Sequence, residues 1–133
     1  MRNLPDVDSF DKKDNSLIVL DDLCLEKDQS QISDFFIRAR KVGCSVVYLT
    51  QSWFKVPTVI RQNLTHIILK RIGSTRVIKA ILKDYTLGVS VEELLQIYDF
   101  ALKEKKEDFF MIDLDEADEK RKFRRNYDVI ELD

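Results

Sequence analysis

Glycine is scarce in this chain. The three that occur, Gly43, Gly73 and Gly88, fall in no G-x-x-x-x-G-K-S/T pattern, so the sequence carries no loop of backbone amides for cradling a nucleotide's phosphates. Histidine is scarcer still. His66 stands alone, which leaves a His-rich metal site or a His-paired nucleophile little to work with. The cysteines, Cys24 and Cys44, lack metal-ligand spacing and are expected as free thiols of a reducing compartment, not as a disulfide. No apolar run approaches membrane-spanning length, and the first residues lack the apolar region of a secretory signal. Internal repeats and low-complexity linkers are missing too.

What is present reads as one soluble domain, 1–133, with a polar leader or edge element at 1–15. Hydrophobic residues make up 44% and charged residues 35% of 133 positions, enough for a real core. Lys plus Arg number 22 against 24 Asp plus Glu, a formal net charge of -2. That balance decides nothing about nucleic acid, so the local distribution of charge matters more.

Residues 16–22, Ser-Leu-Ile-Val-Leu-Asp-Asp, organise the rest. Four apolar residues without alternation predict a strand buried on both faces, as in a parallel sheet. Asp21 and Asp22 then stand at its carboxyl end, where open α/β sheets place their ligand crevice. Such a pair can hold a hydrated Mg²⁺ and orient a water; a polar turn after a buried strand would look the same. Ser30 is a good N-cap for a helix to Val42, with Ile32, Phe35, Phe36, Ala39 and Val42 as its apolar stripe. Asp34 and Arg38 are spaced to pair on its outer face, and Gly43 stops it. A second buried strand is expected at 45–49, followed by Thr50, Gln51 and Ser52. Strand, helix and strand have the length of a parallel crossover.

Downstream, Pro57 suits the start of a short helix through Arg61, and 64–69 is a third strand. Ser74 caps a helix carrying Val77, Ile78, Ile81 and Leu82 inward, which Gly88 breaks. Ser90 and Glu93 form a capping-box pattern for a helix that buries Leu94, Leu95, Tyr98, Ala101 and Leu102. Phe109–Leu114 reads as a strand, with Tyr127–Leu132 pairing to it. Two basic clusters stand out: Lys70, Arg71, Arg76, Lys79 and Lys83 could face DNA phosphates, and Lys120, Arg121, Lys122, Arg124 and Arg125 with Phe123 could be a DNA or subunit contact. The simpler readings, a solvated helix face for the first and a balance for the acidic run Asp113–Glu119 for the second, are preferred. Trp53 and Phe54 are expected to pack over the short helix, His66 to be an ordinary strand residue, and Tyr85, Tyr98 and the Phe35–Phe36 pair to be core.

Asp21, Asp22 and Gln51 lie at the carboxyl ends of neighbouring parallel strands and can converge on one crevice, as phosphoryl-transfer ATPases require. The segments LIVLDDL, IRARK and SVVYLTQSWFKVPTVIRQN resemble the poxvirus-type genome-packaging ATPases of the FtsK/HerA group of P-loop motors. The resemblance runs from Ser16 to Tyr85 and, more loosely, to FFMIDL and FRRNY. It implies an α/β, three-layer, mainly parallel sheet of P-loop NTPase (RecA/ASCE) type, incomplete here because the P-loop strand is absent. By resemblance Asp21 matches the Walker B aspartate that holds Mg²⁺ through water, Asp22 the catalytic carboxylate, and Gln51 the γ-phosphate sensor. Arg61 and Asn63 match the Arg and Asn after the sensor strand. Arg38 and Arg40 lie where the family has helix arginines, either of which could reach a neighbouring subunit's nucleotide.

The implied function is ATP hydrolysis with Mg²⁺ that drives double-stranded DNA into a capsid. The implied partners are DNA, a P-loop-bearing N-terminal half or neighbouring subunits in a homo-oligomeric ring, and a capsid portal or vertex. The implied setting is the host cytoplasm, virus factory or virion. The chain would be the C-terminal portion of the motor domain and inactive alone. The alternative is a non-catalytic α/β remnant or split-protein partner that binds another chain.

Overall fold

A computed structural model describes residues 6–11, 13–21 and 30–132, in two compact units, Met1–Asn63 and Leu64–Asp133. The expected Asp22 and Cys24 lie outside the described residues.

The first unit is built on a parallel crossover. Strand β1 (Ser16–Asp21) pairs with β2 (Cys44–Leu49) in the register Ser16↔Cys44 to Asp21↔Leu49. Helix α1 (Ser30–Arg38) and a 3-10 segment, Ala39–Val42, run between them. Gly43 ends that segment at φ 71°, and its amide donates to the Ala39 and Arg40 carbonyls. Only a residue tolerant of the left-handed region closes a helix in this way without strain. Val7, Phe35, Ala39 and Cys44 form a buried cluster, with the Phe10 ring edge-on to Phe35 at 6.0 Å. The polar leader therefore contributes an apolar anchor through Val7. Cys44 is a free thiol within this cluster, and burial pushes its pKa up. Helix α2 (Thr58–Gln62) follows, with Ile60 buried, and packs beside α1.

The expectation of a strand buried on both faces needs correction. Leu20 is buried, but Leu17 and Val19 are 62% and 52% exposed, and Val47 and Leu49 on β2 are 40% and 45% exposed. Successive strand residues point to opposite faces. Helix α1 takes the face bearing Ile18, Leu20 and Val46, and the face bearing Leu17, Val19, Val47 and Leu49 stays open.

In the second unit, β3 (His66–Leu69) leads into α3 (Thr75–Leu82) and α4 (Val91–Leu102), then β4 (Phe110–Asp113), β5 (Phe123–Arg125) and β6 (Asp128–Val129). The strand order is β3-β4-β5-β6, with every pairing antiparallel. This corrects the mainly parallel sheet: the protein is mixed α/β, with a parallel two-stranded sheet and an antiparallel one. One helix between strands returns the chain to run parallel, as from β1 to β2. Two helices between β3 and β4 return it antiparallel.

The caps fall where expected. Ser74 Oγ accepts from the Val77 amide at 3.4 Å and Ser90 Oγ from the Glu93 amide at 3.1 Å. Their helices bury Ile78, Ile81, Leu82, Leu94, Tyr98, Ala101 and Leu102 over Phe110, Ile112 and Phe123. Phe110 sits between the edge-on Tyr98 ring at 5.9 Å and the stacked Phe123 ring at 6.1 Å. Phe36 and Tyr85, expected in the core, are half-buried.

The last strand is also corrected. The 127–132 stretch does not pair with 109–114; β5 takes that place and β6 folds back on β5. Asn126, at φ 53°, opens the two-residue turn between them, a conformation Asn tolerates. Its side chain accepts from the Phe109 amide at 2.9 Å and donates to Asp108 at 3.1 Å.

Candidate functional site

The carboxyl edge of β1 and β2 is the candidate. Asp21 is the last residue of β1, in register with Leu49 at the end of β2. Gln51 lies two residues beyond, so the parallel pairing brings Asp21 and Gln51 to one edge. Both are exposed. Thr50 shapes the exit from β2: its Oγ1 accepts from the Ser52 amide at 3.0 Å and donates to the Ser52 carbonyl at 3.2 Å. This turns the chain sharply beside Gln51.

Below that turn Trp53 is held by Arg61. The guanidinium lies 5.1 Å from the ring centroid, and Nη2 donates to the Trp53 carbonyl at 2.7 Å. Arg61 Nε is buried without a partner among the described residues. Trp53 thus packs against the short helix as expected, whereas Phe54 is 58% exposed. Asn63 caps α2, and its Nδ2 donates to the Val59 carbonyl at 2.7 Å. In this arrangement Arg61 fastens the segment after Gln51 to α2, while Asn63 closes the end of α2 on itself.

Arg38 and Arg40 are elsewhere. They lie in the last turn of α1 and the 3-10 segment that feeds the first residue of β2. Six strand residues at about 3.3 Å each set the two ends of the sheet roughly 17 Å apart. The structure therefore does not bring these arginines to Asp21 and Gln51. Arg38 is engaged by Asp34 at 3.2 Å, the expected i,i+4 pair, and by Asp8 at 2.9 Å. The hydrogen bonds it donates to Asp34 and then to Asp8 raise its pKa further. Arg40 is exposed.

A model of the family described as Poxvirus A32 protein matches residues 2–125. The chain belongs to this family. No curated protein and no solved structure matches it. Membership of the poxvirus A32 packaging-ATPase family implies ATP, Mg²⁺, DNA and oligomeric partners. Asp21 fits that donor chemistry: Mg²⁺ is commonly held by one or two carboxylates, waters and substrate phosphates, and the Asp21 side chain makes no ion pair or hydrogen bond among the described residues. No cluster of three or more His, Cys, Asp or Glu that could form an all-protein metal cage occurs among the described residues. None of the described helices is long and apolar enough to cross a membrane.

The A32-family chain uses one of its two basic clusters internally. The run 120–125 is largely neutralised. Arg124 pairs with Asp113 at 3.0 Å and Glu116 at 3.4 Å, Arg125 with Glu104 and Asp108, and Lys122 donates to the Leu114 carbonyl. His66 is an exposed strand residue between Thr65 and Asp113. Asp108 is the residue that sequence reasoning missed. It is buried and holds the Asn126 amide, the Lys105 backbone N–H and Arg125. These contacts, the Asn126 amide foremost, keep its carboxyl below the ordinary value. Nothing in its local sequence marks it, since its partners lie on two separate loops and a strand.

Proposed function

We propose that this chain is the Walker B and sensor portion of a viral DNA-packaging ATPase of the FtsK/HerA P-loop group. It works with a phosphate-binding loop supplied by a P-loop-bearing N-terminal half or by a neighbouring subunit. The observation that carries the reading is the parallel crossover that sets Asp21 and Gln51 at one carboxyl edge. Bound Mg-ATP supplies the scissile phosphoanhydride and the charge that the metal neutralises. Asp21, at the strand end, would hold Mg²⁺ through its water shell, and the ion would offset the charge of the phosphates. Asp22 takes the proton of the attacking water, and Gln51 orients that water against the γ-phosphate. Arg61 keeps the Gln51 segment in place through Trp53, and Asn63 ends the helix that carries Arg61.

Arg38 or Arg40, at the far end of the unit, serves the nucleotide of the next subunit in a homo-oligomeric ring. The ring drives double-stranded DNA into a capsid at its portal or vertex, in the host cytoplasm or virus factory. The open apolar face of β1 and β2 supports the need for a further polypeptide. It equally favours a second reading, a non-catalytic partner that binds another chain.

The test joins the chain to a P-loop-bearing half and measures ATP affinity and hydrolysis with DNA present. Asp22→Asn is expected to lower turnover about 10²–10⁴-fold, the usual loss of a positioned base, with nucleotide affinity retained. Asp21→Asn is expected to lower Mg²⁺-dependent affinity as well. Parental turnover in Asp22→Asn overturns the assignment. The chain alone is expected to give no turnover and no large thermal shift with sub-millimolar Mg-ATP; a ligand at 100 times its Kd would add about 2.7 kcal/mol.

A further inference from the structure

The stretch 70–83 holds five cations and no acid in fourteen residues, and the structure divides those cations in two. Lys70 Nζ donates to the carbonyls of Lys106, Glu107 and Asp108 at 3.4, 2.9 and 3.1 Å, and Arg71 donates to the Leu102 carbonyl. Both tie the segment after β3 to the end of α4 and the loop that follows it. Arg76, Lys79 and Lys83 are different. All three are exposed, and none has an ion-pair or hydrogen-bond partner among the described residues.

Their spacing of three and four puts them on one stripe of α3 and its continuation, away from the buried Ile78, Ile81 and Leu82. At about 1.5 Å per residue the stripe is roughly 10 Å long. Local helix physics is against two features of the arrangement, although Lys79, in the last turn, suits the helix dipole. Arg76 lies in the first turn, where the helix dipole disfavours a cation. Lys79 and Lys83 are like charges four apart, which repel. The basic run 120–125 shows the contrary solution in the same unit, with carboxylates beside its arginines. A row of unneutralised cations kept against local preference fits a polyanion as its counter-charge, and duplex DNA presents a phosphate every 3.4 Å or so along each strand.

We propose that the outer face of α3, through Arg76, Lys79 and Lys83, contacts the phosphate backbone of duplex DNA. The identity of the polyanion rests on the packaging reading above. The contact carries no base specificity, since these side chains would position the duplex and not read it.

The experiment is fluorescence anisotropy of the full chain with a labelled mixed-sequence duplex, between about 50 and 200 mM salt. The triple variant Arg76→Gln, Lys79→Gln, Lys83→Gln is compared with Lys13→Gln, Lys41→Gln, Lys55→Gln, which removes the same charge from exposed sites in the first unit. Each lost phosphate contact lowers the slope of log affinity against log salt by about 0.9. The α3 variant is expected to lose roughly two to three units of slope and at least about tenfold in affinity at the lowest salt, equally for all sequences, with the control near parental. Circular dichroism and a thermal melt check that the variant is folded. Equal losses in both variants reduce the effect to net charge and overturn the proposal. An unchanged α3 variant overturns it too, placing the DNA contact elsewhere while the packaging reading stands. So does a parental chain with no duplex binding. The packaging reading itself stands or falls on the separate Asp21 and Asp22 hydrolysis measurements.

Discussion

The two units of this chain use similar secondary structure to opposite ends. In Leu64–Asp133, four antiparallel strands receive two amphipathic helices, and Phe110, Ile112 and Phe123 are fully enclosed. In Met1–Asn63, two parallel strands receive one crossover helix on one face, and four large apolar side chains stay open on the other. Two strands alone are marginal in water, and purely parallel sheets ordinarily have both faces covered. The second unit is a finished core. The first is a finished edge, carrying Asp21 and Gln51, on an unfinished core. The candidate edge thus lies on the unit whose sheet keeps one apolar face open.

The comparison is sharpest under truncation. Phe110→Ala is expected to destabilise by about 3–5 kcal/mol, the usual cost of emptying a buried aromatic site. Val19→Ala on the open face should stay within about 0.5 kcal/mol. Urea denaturation of both variants checks this, and equal losses would mean that the face is covered in solution. The single tryptophan, Trp53, lies in the first unit, so its emission reports that unit alone. Its transition is expected at lower denaturant than the far-ultraviolet signal dominated by α3 and α4. Coincident transitions would break the contrast.

A smaller effect comes from the caps. Ser90→Ala removes the acceptor for the Glu93 amide and is expected to cost the second unit about 1 kcal/mol, with the Trp53 transition unmoved. Acid should act on the same unit. The Asp108 carboxyl has a folded pKa below its unfolded value. Its contribution is therefore present above the unfolded value and lost as pH falls through the lowered one. Denaturation midpoints from neutral pH down to about 3 should show this loss in the parental protein and a flatter profile in Asp108→Asn. Least of all, Arg76→Gln, which removes a cation from the first turn of α3, should stabilise the free protein by about 0.3 kcal/mol, read as a small rise in Tm.

The legible parts of this fold were the local ones. Gly43, Ser74 and Ser90 punctuate helices by chemistry confined to a few residues, and the apolar spacing from Ile32 marks α1, so β1-α1-β2 and the α3-α4 pair could be read directly. The shared edge of Asp21 and Gln51 followed from the crossover. The pairing of β3 with β4 could not be read, because a 66–69 strand looks alike whether its neighbour runs with it or against it. Strand β5 was hidden in a charge run. Phe123 is its one apolar residue, and Arg124 and Arg125 belong to a strand only because Glu104, Asp108, Asp113 and Glu116 arrive from elsewhere. The open face of β1 was misread for a related reason: the run Leu17–Leu20 is apolar on both sides, and composition does not say how many layers will cover it.

The Tyr98 hydroxyl donates to the Lys70 carbonyl at 2.9 Å and accepts from the Ile72 amide at 2.8 Å. It occupies two backbone groups just past β3, where no neighbouring strand reaches. The Ile72 amide thus sits outside every ladder yet is shielded by a side chain rooted in the middle of α4. Its deuterium uptake is tied to the lifting of that helix, so a single amide signal times how often α4 parts from the sheet.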